Sequence, residues 1–332
     1  MKTKLLLLLL FTNATFATPT TPTRDFTDNN NGTVTHKTTG LMWMRCAKGQ
    51  NWTGSDCIGK AKRYTYAEAT AIKNSFAGFS DWRLPNIVEL QTIVERKNIS
   101  PAINAIAFPN ATNDWFWSSS FSASNSNDAW IVNFDTGHGN LINKNYDSAV
   151  RLVRGGKWAF GALPYTTPTS DFIDYQNGTV THKRTCLMWQ RCLVGQTWID
   201  SRCSGAIKRY TYARATALTS SFAGFSDWRL PNQNELLSIV EYGAYSPAIN
   251  NAMFPSSRNR QLWSSSSNAG NSGYAWIVDF YYGEGSDYNK HKDNGVRLVR
   301  GRQCNFSVVG RFRASKPPQD TPSKTIKPTH KK

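Results

Sequence analysis

The chain has 332 residues, with 39 Lys and Arg against 22 Asp and Glu for a formal net charge of +17, and 12 tryptophans. That length holds two domains of ordinary size and the aromatic content fills their cores, which excludes a disordered or fibrous chain. The positive balance favours an anionic partner (acidic polysaccharide, nucleic acid or an anionic membrane surface) and does not choose among them.

Lys2 and Lys4 precede the apolar run Leu5–Phe11 and a small-residue exit at Ala17. This pattern predicts a secretory signal peptide over residues 1–17, too short to span a membrane. Its removal takes two lysines and leaves +15. No later segment is apolar enough for a transmembrane span, so the expected product is exported, either periplasmic or extracellular. Residues 18–24, rich in Thr and Pro, read as a linker.

The string Ser75–Asn86, SFAGFSDWRLPN, returns unchanged at Ser221–Asn232, and the same offset maps Asp25 onto Asp171, Cys46 onto Cys192, Trp117 onto Trp263 and Arg154 onto Arg300. A repeat of this length is a whole domain rather than a solenoid unit. Two copies are expected, at 25–155 and 171–301, with a linker at 156–170 and a basic, mostly disordered tail at 302–332. Each copy carries the full set of strings and is expected to fold alone, as a bead on a string.

Within a copy, Asn31-Gly32 lies between strand-like residues and predicts a hairpin. Its Asp/Asn-rich tip resembles a calcium loop, but the second copy lacks the terminal Glu of an EF-hand, which favours the hairpin. A first helix is predicted from Tyr66 to about Phe76, with Thr65 and Glu68 forming a capping box. A second starts at Asn86, with Glu89 in the same role, and puts Leu90, Ile93 and Val94 on a core face. Strands are predicted at Ala129–Phe134 and Val150–Arg154, with a turn at Gly137–Gly139. The class is α+β, two helices among antiparallel strands in each copy.

Cys46 and Cys57 recur as Cys192 and Cys203 with unchanged spacing. In an exported chain this predicts one short-loop disulfide per copy, contributing about 3 kcal/mol in the chain-entropy model. Cys186 and Cys304 remain and make a plausible third pair. Asp81, Arg83, Arg151 and Arg154, with Asp227, Arg229, Arg297 and Arg300, are expected to form structural ion pairs between the helix entry and the last strand.

Lys60, Lys62 and Arg63 precede Tyr64 and Tyr66, and Lys208 and Arg209 precede Tyr210 and Tyr212. Cations beside aromatic faces hold sulfated or uronic sugars through charge-assisted hydrogen bonds and stacking. The competing reading is a solvated charged face. The second copy adds Arg258 and Arg260 where the first has Thr112 and Asp114. No nucleophile motif, phosphate loop or metal-binding histidine cluster stands out; His36 and His182 sit beside lysines on a hairpin with no evident acid partner. Neither enzymatic activity, a metal nor a cofactor is expected.

The residues Asn31-Gly-Thr-Val-Thr35, Gly40-Leu-Met-Trp43, Asp81-Trp-Arg-Leu-Pro-Asn86, Trp117-Ser-Ser119 and Val150-Arg-Leu-Val-Arg154 resemble the C-terminal domain family of the Legionella collagen-like adhesin. The resemblance covers nearly all of each copy and implies a C-type-lectin-like fold. Arg-Leu-Pro before a helix and the terminal Val-Arg strand are also similar to formylglycine-generating enzymes and retroelement-diversified receptors. The family implies adhesion through sulfated glycosaminoglycans. This chain has no Gly-X-Y stretch and doubles the domain, so trimerisation and surface display do not follow. The expected partner is an anionic polysaccharide or surface glycan, with self-association open and no physiological nucleic acid. A structural or envelope-assembly role is the alternative, and a divergent formylglycine-type enzyme a remote one.

Overall fold

A computed structural model describes residues 20–156, 166–255, 257 and 261–301. Residues 1–17, read as a signal peptide, the tail after residue 301, Arg258, Arg260 and Cys304 lie outside these residues. The first copy carries β1 (Phe26–Asp28), β2 (Thr33–His36), β3 (Leu41–Met44), β4 (Asn51–Trp52), β5 (Cys57–Ile58) and β6 (Arg63–Tyr64). Then come α1 (Tyr66–Ala71), α2 (Ile87–Gln91), β7 (Trp115–Phe121), β8 (Asp128–Asn133), β9 (Gly139–Asn143), β10 (Ser148–Ala149) and β11 (Val153–Gly155). The second copy repeats the plan with β12 (Phe172–Asp174), β13 (Thr179–His182), β14 (Leu187–Gln190), β15 (Thr197–Ile199) and β16 (Arg202–Ser204). It continues with α3 (Tyr212–Thr216), α4 (Gln233–Leu237), β17 (Gln261–Ser267), β18 (Tyr274–Asp279), β19 (Glu284–Asn289) and β20 (Val299–Arg300).

The Asn-Gly turn builds the predicted hairpin, with Asp28 opposite Val34. Its tip carboxylate is not free for a cation: Asp28 accepts from Asn30 N–H at 2.8 Å and from Arg45 Nη1 at 2.6 Å. β3 then receives β11 on its far side, Trp43 opposite Val153, so the first and last strands of the copy form the two edges of one sheet ordered β1-β2-β3-β11. Among the described residues pairing is antiparallel except where Ala149 of β10 meets Phe116 of β7 in parallel and, at the same place in the second copy, Gly295 meets Leu262 of β17. Trp43, Trp117 and Trp130 are fully buried, as are their counterparts Trp189, Trp263 and Trp276.

Both first-copy helices start as predicted. Thr65 and Glu68 close one capping box and Asn86 and Glu89 the other. In the second copy Arg214 replaces Glu68, and Thr211 makes no side-chain cap bond. α1 ends at Ala71 rather than near Phe76, because SFAGFS closes on itself as a turn: Phe76 bridges Phe79 across Ala77 and Gly78, both with positive φ (53° and 81°). Of the predicted closing strand Val150–Arg154 only the last two residues lie in a strand, β11; Val150–Leu152 is irregular and separates β11 from β10. The residues read as linkers are partly tied down. Thr21 is 3% exposed and gives its N–H to Glu95 at 2.7 Å; Thr167 is 2% exposed and does the same to Glu241 at 2.7 Å.

The expectation of independent beads is not what the structure shows. β9 pairs with β19 through Gly139 and Gly285, which joins both copies in one eight-stranded sheet ordered β17-β18-β19-β9-β8-β7-β10-β6. A Cβ on Gly139 would meet Gln91 Nε2 at 2.9 Å and one on Gly285 would meet Gln233 Nε2 at 2.8 Å, so a side chain at either position would displace the end of that glutamine. Across it the repeat's equivalent positions 96 and 242 reach over reciprocally. Arg96 stacks on Trp276 at 4.9 Å and donates to Asn234 Oδ1 at 2.9 Å. Tyr242 packs edge-on against Trp130 at 5.1 Å and donates to Gln91 Oε1 at 3.1 Å. The contact therefore has the pseudo-two-fold logic of an isologous dimer. One buried apolar cluster runs through both copies.

Candidate binding surface and its arginine frame

The string Arg-Leu-Pro-Asn is a locked helix start. Arg83 grips Glu89 with two bonds of 2.7 Å, and the same carboxylate accepts the Asn86 N–H at 2.9 Å. Glu89 is fully buried, so its charge is matched by Arg83 and the first turn of α2. Arg83 also exchanges backbone hydrogen bonds with Val153, tying this start to the final strand. Arg229, Glu235 and Val299 repeat the arrangement. Asp81 meets Arg154 at 2.6 Å and Asp227 meets Arg300 at 2.7 Å, each Arg over a Phe ring. These are the ion pairs the sequence pointed to. The Arg154 hydrogen bond holds Asp81 below the usual carboxylate range, and Arg300 does the same to Asp227.

Arg151 and Arg297 are a correction. Among the described residues neither has a carboxylate partner. Arg151 is 1% exposed, lies over Phe108 at 4.9 Å, and donates through Nη1 to the carbonyls of Met44, at 3.0 Å, and Arg45. Arg297 is wholly buried over Phe254 and donates to the carbonyls of Gln190 and Arg191 and to Ser257 Oγ. Burial pushes both guanidinium groups down to about 9. Each is a polar pin between β3 or β14 and the run into the last strand.

The histidines are structural as well. His36 and His182 are buried, stack on Phe26 and Phe172, and contact Thr39 and Thr185 at 3.0 Å through Nδ1. Burial, helped by Arg184, holds His182 well below the ordinary histidine value. Folding thus keeps His182 neutral, while the unfolded chain takes up its proton near pH 6.5. Its contribution is complete above that value and is lost as pH falls. A melting series should show the midpoint dropping between about pH 7 and pH 5, before most carboxylates titrate. A flat profile across that window would contradict the buried neutral imidazole.

The disulfides Cys46–Cys57 and Cys192–Cys203 form, each with Cα atoms 5.4 Å apart, and brace the β4-β5 and β15-β16 hairpins. The predicted Cys186–Cys304 pair depends on Cys304, outside the described residues. These hairpins precede the basic stretches. Lys60, Lys62 and Arg63 are exposed, and Tyr64 and Tyr66 half-buried. Lys62 Nζ lies 5.0 Å from the Tyr64 ring and Lys144 Nζ 5.2 Å from that of Tyr66. The tyrosines are anchored from beneath: Tyr66 gives its hydroxyl to Ser119 O, and Trp117 donates to Tyr64 O, both at 2.7 Å. In the second copy Lys208 and Arg209 are exposed, Tyr212 donates to Ser265 O at 2.7 Å, and Lys290 takes the place of Lys144 at 5.1 Å. The sequence reading missed Lys144 and Lys290, although both repeat at the same offset.

The two clusters sit at opposite ends of the shared sheet. β6 is one edge; at the other, Tyr210 bridges Asn294, and Gly295 bridges Leu262 of β17. At about 4.8 Å per strand they lie roughly 40 Å apart.

A family model described as the Lcl C-terminal domain matches residues 32–154 and again 178–300. The chain belongs to the Lcl C-terminal domain family. A search of curated proteins returns no match. Both matched spans contain the locked helix start, the buried Arg and the basic stretch, so these are features of each Lcl C-terminal domain copy. The copies differ in their loop charges. In the first Lcl C-terminal domain Arg63 is held bidentately by Asp114, at 2.7 and 3.1 Å. The second has Arg260 in place of that Asp, so Arg209 lacks the counterpart carboxylate. Among the described residues no group of acidic, His and Cys side chains could hold a metal ion, and no helix is long and apolar enough to cross a membrane.

Proposed function

We propose that the chain is an exported, non-enzymatic, adhesin-like binding protein of C-type-lectin-like architecture that recognises anionic glycans, sulfated or uronic. The observation that carries this reading is the pair of clusters, exposed cations beside half-buried tyrosines, at the two ends of one sheet. Family membership supports a binding module. Entry and exit strands that share one sheet, two short helices and long intervening loops support the lectin-like reading. The short-loop disulfide in each copy suits an oxidising compartment outside the cytoplasm.

Tyrosines fixed from below keep their faces in place, so little side-chain freedom is lost when a sugar stacks on them. The exposed heads of Lys60, Lys62 and Lys208 then meet sulfate or carboxylate groups. Domain two is the stronger candidate, since Arg63 of domain one is already neutralised. That neutralised pair favours a solvated, structural role for part of domain one's charge. A glycan array probed at low and high salt tests the proposal. Sulfated and uronic chains should be bound, neutral chains less, and the anionic signal should fall with salt. Retention of no anionic chain at low salt would overturn it.

A further inference from the structure

The second domain contains a hollow of ≈ 350 Å³, lined by Arg209, which it shares with the basic cluster, and by Gln261, Asp279, Tyr281, Tyr282, Asn294 and Gly295. Its volume lies at the small end of the roughly 300–1,000 Å³ range of ligand pockets, enough for one sugar ring and not for a chain segment. Its floor is unusual: Asn294 is 5% exposed and its Nδ2 has no hydrogen-bond partner. A buried amide donor left without an acceptor costs about 1–3 kcal/mol, which a ligand oxygen would relieve. On the walls, Asp279 is oriented by the Tyr281 N–H at 2.8 Å and by Gln261 Nε2 at 3.3 Å. Tyr281 and Tyr282 stand edge to face, 4.4 Å between ring centroids, and Tyr282 is 39% exposed at the rim.

From these groups we infer that the hollow is a binding site for a single neutral hexose ring. A hexose presents the complementary set: hydroxyl donors for Asp279, hydroxyl and ring oxygens for Arg209 and Asn294, and an apolar C–H face for a tyrosine. The lining holds one cation and one carboxylate, with no net charge to attract an anion. The site is private to domain two. At the equivalent positions domain one has Trp115 for Gln261, Asn133 for Asp279, Asp135 and Thr136 for the tyrosines, and Ser148 for Asn294. There Trp115 packs on the core beside the Arg63–Asp114 pair. One repeat places a partly buried Trp here and the other a Gln beside an open, polar hollow.

The inference is separate from the anionic-glycan reading, and its test leaves Arg209 and the lysines unchanged so that the two can fail independently. Saturation-transfer NMR on the full chain would use the methyl glycosides of glucose, galactose and mannose, with methyl glucuronide as the charged comparator. At least one neutral glycoside should give transfer. Gln261→Trp, which installs the residue domain one already accommodates, should weaken that binding by about tenfold or more without moving the melting midpoint. Tyr282→Thr, the domain-one residue at an exposed site, should weaken it too. Absence of transfer from all three neutral glycosides at millimolar concentration would overturn the inference. So would undiminished transfer in a folded Gln261→Trp protein, or glucuronide preferred over every neutral ring.

Discussion

Replacing Arg297 with Ala should cost domain two about 3–5 kcal/mol, the range for breaking a buried polar partnership while leaving a cavity. The guanidinium is wholly buried and donates to two backbone carbonyls and Ser257 Oγ, with Phe254 against its face. Truncation orphans those acceptors and removes the contact with Phe254 together. Arg151→Ala should act in the same way in domain one. A Lys at either place reaches one acceptor but lacks the planar fork, so it should rescue only part of the loss. Arg154→Ala is the contrasting control. Its partner Asp81 has a side chain 59% exposed, and such surface pairs contribute about 0.5–1 kcal/mol at most. Denaturant melts should therefore separate the two arginines of one strand region several-fold. Equal losses for Arg151→Ala and Arg154→Ala would refute the pin.

Separating the halves should be as damaging. Residues 20–156 alone would expose the β9 edge, the face of Trp130 that Tyr242 covers, and Arg96 without Asn234 or Trp276. Each large side chain returned to water costs about 2–3 kcal/mol, and an open strand edge invites pairing with another copy. An isolated half should either melt at least about 10 °C below the full chain or self-associate through β9. The intact chain cleaved once within 157–165 should instead remain a 1:1 complex in size-exclusion chromatography. An isolated half that is monomeric and as stable as the whole would restore the bead-on-a-string picture.

The features legible in the sequence were those whose partners lie close along the chain. Asn31-Gly32 set its hairpin, Thr65 and Glu68 and Asn86 and Glu89 their capping boxes, and Cys46 and Cys57 their bridge, each across a dozen residues or fewer. The first helix was overextended because SFAGFS reads as apolar helix until Ala77 and Gly78 take positive φ. Arg151 was read as an ion pair because a buried cation suggests a carboxylate. Its actual partners are backbone carbonyls 106 and 107 positions away, which no side-chain pattern marks. The seam between domains left its trace in divergences at equivalent positions within well-matched repeats: Arg96 and Tyr242, and their partners' positions, Val88 against Asn234 and Gln91 against Leu237. The hollow in domain two left a similar trace in the exchange of Trp115 for Gln261. Both differences become informative only when strand pairing shows what faces them.

The most direct test of the binding account is elution from immobilised heparin. The full chain would be compared with a variant carrying Lys60, Lys62, Lys208 and Arg209 all changed to Gln, and with a chain lacking residues 314–332. Each exposed contact should contribute about 0.5–1 kcal/mol, so the four substitutions should move elution to clearly lower salt with little change in melting temperature. Removing the basic tail should shift elution less. If the tail deletion abolishes retention while the fourfold variant elutes with the unmodified protein, the folded domains are not the glycan receptor.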